Sequence, residues 1–408
     1  MLVSITTGTH RQESHTIEEP VRPEGILANA AREALRYKLS DYLVVDCDAH
    51  HYEGLALANL VPFVDHPTIR RRLESSLKRS AAGRSANFLP TVVGNQEVAG
   101  RLRRHHAAPE GVVDDGVPAE VARFRYAMRQ MGVDYALMYP TNMLHIGLHP
   151  EVEVEVAVTW AYARWITECV LPFDPSIKTL LLLPFNDAKA SARMVEEFAE
   201  RPGVVGFMVS SLRDQPVHHN KYMKVYAALE ERGMPLAFHG VTDWQHPTQR
   251  LFNRFLSVHA LGFPLYNIIH MMNLVVNGVP QRFPRLRFIW MECGVCWLPF
   301  VMYRLDNEYM MRSSEAPLLE KKPSEYIREF YFTSQPLEAT DGHDHLAAIF
   351  DMIQAETQLL YASDYPHWDF DLPTRILKLP FLSDSAKRRI LGENARGLFR
   401  LEPDQQGR

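Results

Sequence analysis

Eight short apolar runs, most of them separated by stretches of helical periodicity, are the feature that most narrows what this chain can become. They lie at 43–45, 135–139, 179–183, 204–209, 235–238, 287–291, 329–332 and 359–362. Each is apolar or β-branched without regular polar alternation, which is how strands buried on both faces read. Between them the apolar spacing lengthens to a helical period, as at 188–200, 221–232 and 344–355. Strand following helix following strand implies parallel pairing, because parallel neighbours need a crossover connection. Eight such units predict an α/β fold, a (β/α)8 TIM barrel. At 408 residues the chain is long for one domain, but barrels with insertions reach this size as a single unit.

Two departures from a minimal barrel are legible. Residues 1–40 read as an N-terminal arm, with an amphipathic helix at 24–35 that docks on the barrel or on a partner subunit. The barrel itself spans 41–402, and its first strand-to-strand gap is too long. Helical and loop material at 69–78, 80–87 and 101–118 makes an inserted cap of about 53–130. Active sites of this architecture sit at the C-terminal strand ends, so a cap there shapes substrate access.

Charge and cysteine usage remove several function classes. A net charge of −5 with both signs interspersed offers no field for a polyanion, so no nucleic acid is expected as partner. The basic run Arg101 to Arg104 reads as a solvated loop. Apolar stretches such as 179–185 are broken by Pro, Asp or Lys long before about 18 residues, which predicts no membrane span. Cys47, Cys169, Cys293 and Cys296 do not make a disulfide framework, and the start of the chain lacks a charged and then apolar leader. A cytoplasmic protein is expected. Cys293 and Cys296 form a lone C-x-x-C without a second pair, better explained by packing than by zinc or redox chemistry.

The polar residues that close the apolar runs carry the chemistry. After the first run comes Asp46-Cys47-Asp48-Ala49-His50-His51, where residues 48 and 50 project to one side of an extended chain. The fifth run ends in His239-Gly240 and the eighth in Ser363-Asp364-Tyr365-Pro366-His367. Any one of these is a weak signal. Together they place Asp48, His50, His239 and Asp364 around one barrel mouth, because strand ends of a closed barrel converge. Mixed nitrogen and oxygen ligation predicts one divalent metal ion, with zinc the first choice and manganese or iron alternatives. Asp364 doubles as the candidate general base.

These motifs resemble the amidohydrolase-related family that contains the aminocarboxymuconate semialdehyde and γ-resorcylate decarboxylases and related lactonases. The likeness runs from about 43 to 401 and is carried by Val45-Asp46-Cys47-Asp48-Ala49-His50, by Phe238-His239-Gly240, and by Gly278-Val279-Pro280-Gln281-Arg282-Phe283-Pro284-Arg285-Leu286-Arg287-Phe288. It continues in Ser363-Asp364-Tyr365-Pro366-His367 and in Gly392-Glu393-Asn394-Ala395-Arg396-Gly397-Leu398-Phe399. The resemblance implies that Asp48, His50, His239 and Asp364 are the metal ligands. Where the decarboxylases present a histidine after their sixth strand, this chain has Glu292, which makes Glu292 a second candidate acid or base. His51, His270, Trp297 and His367 are candidate substrate-binding residues. Glu53, Asn273, Trp368 and the 139–142 segment lie near them as pocket wall or ligand-orienting groups.

Three functions compete. A hydrolase would use metal-activated water against an amide, lactone or related carbonyl of a small carboxylate-bearing or aromatic substrate. A non-oxidative decarboxylase would use the same ligands and an acid to protonate the carbon that loses CO₂. A catalytically silent barrel would only bind. Glu292 in place of the histidine ranks hydrolysis first, and the retained ligands rank silence last. A small-molecule substrate is the expected partner, and the arm and the resemblance favour a homodimer.

Overall fold

The fold was obtained as a computed structural model. It describes residues 23–53, 57–81, 111–243, 246–338, 343–367 and 369–402. Eight parallel strands lie side by side in chain order. They are β1 Val45–His51, β2 Tyr135–Pro140, β3 Ile177–Leu182, β4 Val204–Ser210, β5 Leu236–His239, β6 Phe288–Met291, β7 Tyr331–Thr333 and β8 Leu359–Leu360. The chain beyond β8 returns to β1 through Cys47 N–H to the Tyr361 carbonyl (2.9 Å) and Asp364 N–H to the Asp48 carbonyl (2.7 Å). A parallel bridge between Ala49 and Tyr365 completes the ring. The chain is a (β/α)8 barrel.

Among the described residues, ten α-helices of six or more residues surround the strands. They are α1 Pro23–Arg36, α2 Pro67–Ala81, α3 Ala119–Met131, α4 Val152–Cys169, α5 Ala188–Phe198, α6 Met223–Arg232, α7 Phe255–Val276, α8 Leu298–Arg312, α9 Asp344–Met352 and α10 Asn394–Phe399. Their starts and stops have local causes. Asp187 caps α5 by accepting from the Lys189 and Ala190 amides. Gly132 and Gly233 end α3 and α6 in the left-handed conformation that a glycine adopts without a Cβ penalty.

All eight strands differ from the sequence expectation by at least one residue at an end, and three of these boundaries have a clear reason of hydrogen bonding. β1 runs through the polar Asp46-Cys47-Asp48-Ala49-His50-His51 segment instead of stopping at 45. Its Asp46 carboxylate is satisfied inside the barrel by the Ser363 amide (2.8 Å), the Ser363 hydroxyl and the Asp48 amide. β7 starts at Tyr331, because the Glu329 and Phe330 amides turn back to the Tyr326 and Ile327 carbonyls. β8 stops at Leu360, because Tyr361 N–H goes to the Ile390 carbonyl and Ala362 N–H to the Ser334 hydroxyl.

The helix expected at 24–35 is α1. It packs on α3 of its own chain, burying Leu27 and Ala30, and Glu33 takes bonds from Thr374 and Lys378. In the inserted region, the segment expected at 69–78 is part of α2, which Arg72 ties to Glu151 at the start of α4 through two bonds of 2.8 and 2.9 Å. The expected 80–87 and 101–118 segments lie mostly outside the described residues, as does the basic run. All four cysteines are free.

Candidate metal centre

Alternation along β1 decides which side chains reach the barrel axis. Asp46, Asp48 and His50 face inward, and all are fully buried. His50 pairs in register with Tyr139, and His239 with Ser210 and Met291, so these residues share one layer near the strand ends. Asp364 enters from the turn after β8.

The four expected ligands meet there. Asp48 Oδ1 lies 3.0 Å from His50 Nε2 and 3.3 Å from His239 Nε2, and His50 Nε2 lies 3.4 Å from Asp364 Oδ1. Each imidazole gives its other nitrogen to a backbone carbonyl, His50 Nδ1 to Pro140 (3.1 Å) and His239 Nδ1 to Gly240 (2.7 Å). Those carbonyls only accept, so they assign the proton to Nδ1 and leave the Nε2 lone pairs aimed at carboxylate oxygens. Lone pair against carboxylate is repulsive unless a cation or a second proton sits between them. His50 Nε2, Asp48 Oδ2 and Asp364 Oδ2 are moreover buried without any hydrogen-bond partner. Asp48, His50 and His239 place ligand atoms close enough to hold one ion, and so do His50, Asp364 and His367. This donor set fits a divalent metal.

The field at the site follows from burial and from these charges. With no cation between them the second proton takes its place: burial raises Asp48, but the charge of a doubly protonated His239 and the bonds from both imidazoles then outweigh it and hold the carboxyl below its ordinary range. Burial and the nearby His367 push His50 down. His239 rises, because the Asp48 charge and hydrogen bond outweigh its burial. Burial pushes Asp364 and Glu292 well up, and each carboxyl adds to the acidic crowding of the mouth.

Glu292 stands directly after β6, with Oε2 3.4 Å from His239 Nδ1. Its amide donates to Thr333 Oγ1 (3.1 Å), and its backbone φ is 49°. Asp364 has φ 62°. Left-handed backbone at a non-glycine residue costs on the order of 1–2 kcal/mol, and such strain concentrates at functional sites.

His367 joins the cluster through Asp364. Its Nδ1 lies 2.6 Å from Asp364 Oδ1, its Nε2 lies 3.2 Å from Thr141 Oγ1, and its ring stacks on His50 at 4.4 Å. Thr141 is fixed in turn by Glu53, a buried carboxylate that accepts from the Thr141 amide (2.8 Å) and the Met143 amide. Glu53 therefore positions the loop that positions His367.

The other candidates lie apart from the ligand atoms. His51 points to the opposite face of β1, its Nε2 2.8 Å from the Tyr162 hydroxyl and its ring stacked on Trp165. His270 sits on α7 outside the strands, with Nε2 2.7 Å from the Ser211 carbonyl. Trp297 donates Nε1–H to the Cys293 carbonyl (2.9 Å) of its own loop, and Asn273 is half-buried on α7. Tyr139 faces inward and donates to the Cys47 carbonyl (3.0 Å). Trp368 falls outside the described residues. Sequence reasoning assigned nothing to Asp46, Ser363 and Thr333, which hold the backbone under the candidate ligands and Glu292. For Asp46 a signal existed, since alternation puts it on the same face as Asp48 and His50.

Comparison with known proteins places this geometry in context. Residues 45–401 match the family model described as amidohydrolase. The γ-resorcylate decarboxylase of Rhizobium radiobacter is 21% identical over 231 residues, 54% of this chain and 69% of that protein. Among solved structures, 5-carboxyvanillate decarboxylase from Sphingomonas paucimobilis superposes with TM-score 0.62 at 20% identity, covering 88% of this chain and 99% of that one. A dihydroxybenzoic acid decarboxylase from Polaromonas sp. JS666, solved with manganese and the inhibitor 2-nitroresorcinol, gives TM-score 0.60 at 17% identity over 88% and 97% of the two chains.

Proposed function

Because this chain belongs to the amidohydrolase family, matched over 45–401, we propose that it is a metal-dependent decarboxylase of small aromatic carboxylic acids, with Glu292 as the proton donor. The observation that carries the reading is one convergence: two overlapping groups able to hold an ion, Asp48–His50–His239 and His50–Asp364–His367, meet at the mouth, and the buried Glu292 carboxyl stands 3.4 Å from the His239 ring. The relatives named above, decarboxylases of aromatic acids, support the same choice.

A divalent cation held by Asp48, His50, His239 and Asp364 would supply electrostatic anchoring for the substrate's carboxylate and a neighbouring oxygen. Two imidazoles and two carboxylates suit manganese as well as zinc. Glu292 delivers its proton to the ring carbon as the bond to the carboxyl group breaks; CO₂ leaves, and the carboxylate regains a proton from solvent. The Nδ1–H of His239 stands beside the Glu292 oxygens and stabilises them in the charged state. His367 holds Asp364 through Oδ1, and Oδ2 has no hydrogen-bond partner, so Asp364 would have an oxygen free to help hold a cation.

Hydrolysis stood first in the sequence ranking because Glu292 replaces a histidine. Geometry weakens that ground, since a buried carboxyl at this spot meets the need for an acid. The deciding experiment reloads metal-stripped protein with Mn²⁺, Zn²⁺ or Fe²⁺ and offers hydroxybenzoates, aryl amides and lactones. CO₂ release with one arene product supports the proposal. Amide or lactone cleavage without CO₂ overturns it in favour of a hydrolase, and inertness of a fully loaded protein overturns it in favour of a binding role.

A further inference from the structure

A cavity of about 40 Å³ lies between the end of β1, the turn after β8 and the first turns of α3. At roughly 10–15 Å³ for each water-sized group, it has room for about three or four non-hydrogen atoms. Of the four candidate metal ligands, only His50 belongs to its lining. His51, which points away from the barrel axis, stands in the same wall. The cavity therefore lies on the outer flank of β1, off the axis on which the ligand atoms converge.

One atom of that wall calls for a ligand. The buried Tyr162 hydroxyl has a single hydrogen bond among the described residues, to His51 Nε2 at 2.8 Å. Were Nε2 the donor, the phenolic proton would have no acceptor. The hydroxyl therefore donates, and the His51 proton sits on Nδ1. Nδ1 is buried without any partner, on a side chain that is only 7% exposed. A buried N–H of this kind is ordinarily paired, so an acceptor that the described residues do not supply is needed.

The α3 side of the cavity supplies a cation and a carboxylate. Arg123 donates Nε–H to the Ala119 carbonyl (3.2 Å), and its Nη2 lies 3.9 Å from Glu120 Oε1, beyond hydrogen-bonding distance. The guanidinium thus keeps N–H donors to offer. Glu120 sits in the first turn of α3, where the helix N-terminus offsets its charge, which leaves the Arg123 charge for an occupant. Tyr52, Phe124 and Tyr365 add flat rings to the lining. An occupant that satisfies the set accepts from Arg123 and from His51 Nδ1–H, and donates to Glu120. Simple carboxylates accept but carry no proton at neutral pH, and amides donate but carry no charge. Phosphate is larger than the space. A small planar oxyanion that keeps one proton, as hydrogencarbonate does, meets all three demands.

We propose that this cavity binds a singly protonated oxyanion of the hydrogencarbonate class, held by His51, Arg123 and Glu120. The site takes no part in the proposed decarboxylation and does not rest on it. The test titrates ¹³C-labelled hydrogencarbonate into the zinc-loaded full chain at mildly alkaline pH and reads broadening of the carbon signal; zinc is diamagnetic and adds none of its own. Wild type should bind in the millimolar range, as suits so small a ligand. Arg123→Leu removes the charge-assisted hydrogen bonds and should weaken binding at least about 10-fold, with zinc content unchanged. Formate, which lacks the proton, and acetamide, which lacks the charge, should displace the label from wild type at least about 10-fold less well than unlabelled hydrogencarbonate. If Arg123→Leu fails to fold, this competition series decides alone. No broadening at tens of millimolar would overturn the proposal. So would undiminished binding in Arg123→Leu, which would put the ion at the zinc, or displacement by formate or acetamide as effective as by hydrogencarbonate.

Discussion

Replacing Gly240 by alanine tests how tightly Glu292 must be placed. A Cβ on Gly240 would stand 2.4 Å from the Glu292 carbonyl oxygen and 3.1 Å from both the Glu292 carbonyl carbon and the Met291 oxygen. All three neighbours are backbone atoms, so no rotamer change relieves the clash. Ordinary carbon–oxygen contact begins near 3.3 Å, so the ends of β5 and β6 must part by about 0.9 Å. They are joined there by the Gly240 amide and the Met291 carbonyl at 2.9 Å, and the movement draws Glu292 away from His239. Overpacking of this kind costs about 1–3 kcal/mol. A misplacement near 1 Å in a reacting group costs about 10²-fold in rate. Gly240→Ala should therefore fold, melt a few degrees lower, bind metal, and lose about two orders of magnitude in kcat/KM for CO₂ release. Gly397→Ala is the control: nothing lies within 4 Å of a Cβ there. In the exposed helix α10 it should stabilise by about 0.5–1 kcal/mol with turnover unchanged. Wild-type kcat/KM in Gly240→Ala would refute the link between this backbone contact and catalysis.

The remaining predictions concern the ligands and the groups behind them. His239→Ala should weaken metal retention by at least 10-fold in a chelator competition, and Asp364→Asn should abolish turnover with the fold intact; full activity in Asp364→Asn would remove it from the site. Glu53→Gln turns an amide NH₂ toward one of two buried N–H groups, costing about 1–3 kcal/mol in urea unfolding and about 10-fold in metal affinity. Unchanged values for both would break the chain from Glu53 through Thr141 and His367 to Asp364. Glu155 is pushed up by burial, against the opposing charge of Arg213, from 4.5 to about 7. A raised carboxyl stabilises the fold below its unfolded value and loses that contribution as pH rises through the folded one. Wild type should thus lose ~3 kcal/mol between about pH 4.5 and above pH 7 that Glu155→Gln does not lose, at 1.36 kcal/mol per unit. Parallel pH profiles for the two proteins would contradict this.

The barrel was legible because its evidence is repeated. Each strand is weak alone, yet eight apolar runs in register with helical spacers leave one economical topology. What the runs could not show was where strands end when the next residue is polar. β1 carries Asp46, Asp48 and His50 inside the strand, because the mouth of a barrel is the one part of its interior where a carboxylate finds partners. Spacing did separate His50 from His51, since alternation on an extended chain puts residues 48 and 50 on one side. The same alternation turns His51 against Tyr162 and Trp165, away from the place its candidate substrate-binding role would need.

The orienting groups were hidden for a more basic reason. His50 and His239 are held by the carbonyls of Pro140 and Gly240, and backbone carbonyls carry no residue identity. No motif can record them. Glu292 left a different trace, the wrong residue type for its conformation. A position with φ of 49° ordinarily favours glycine, asparagine or aspartate, so glutamate there carries strain that Asp364 at 62° carries less of. That backbone geometry, more than any single distance, is what puts Glu292 forward as the proposed acid beside the four candidate ligands.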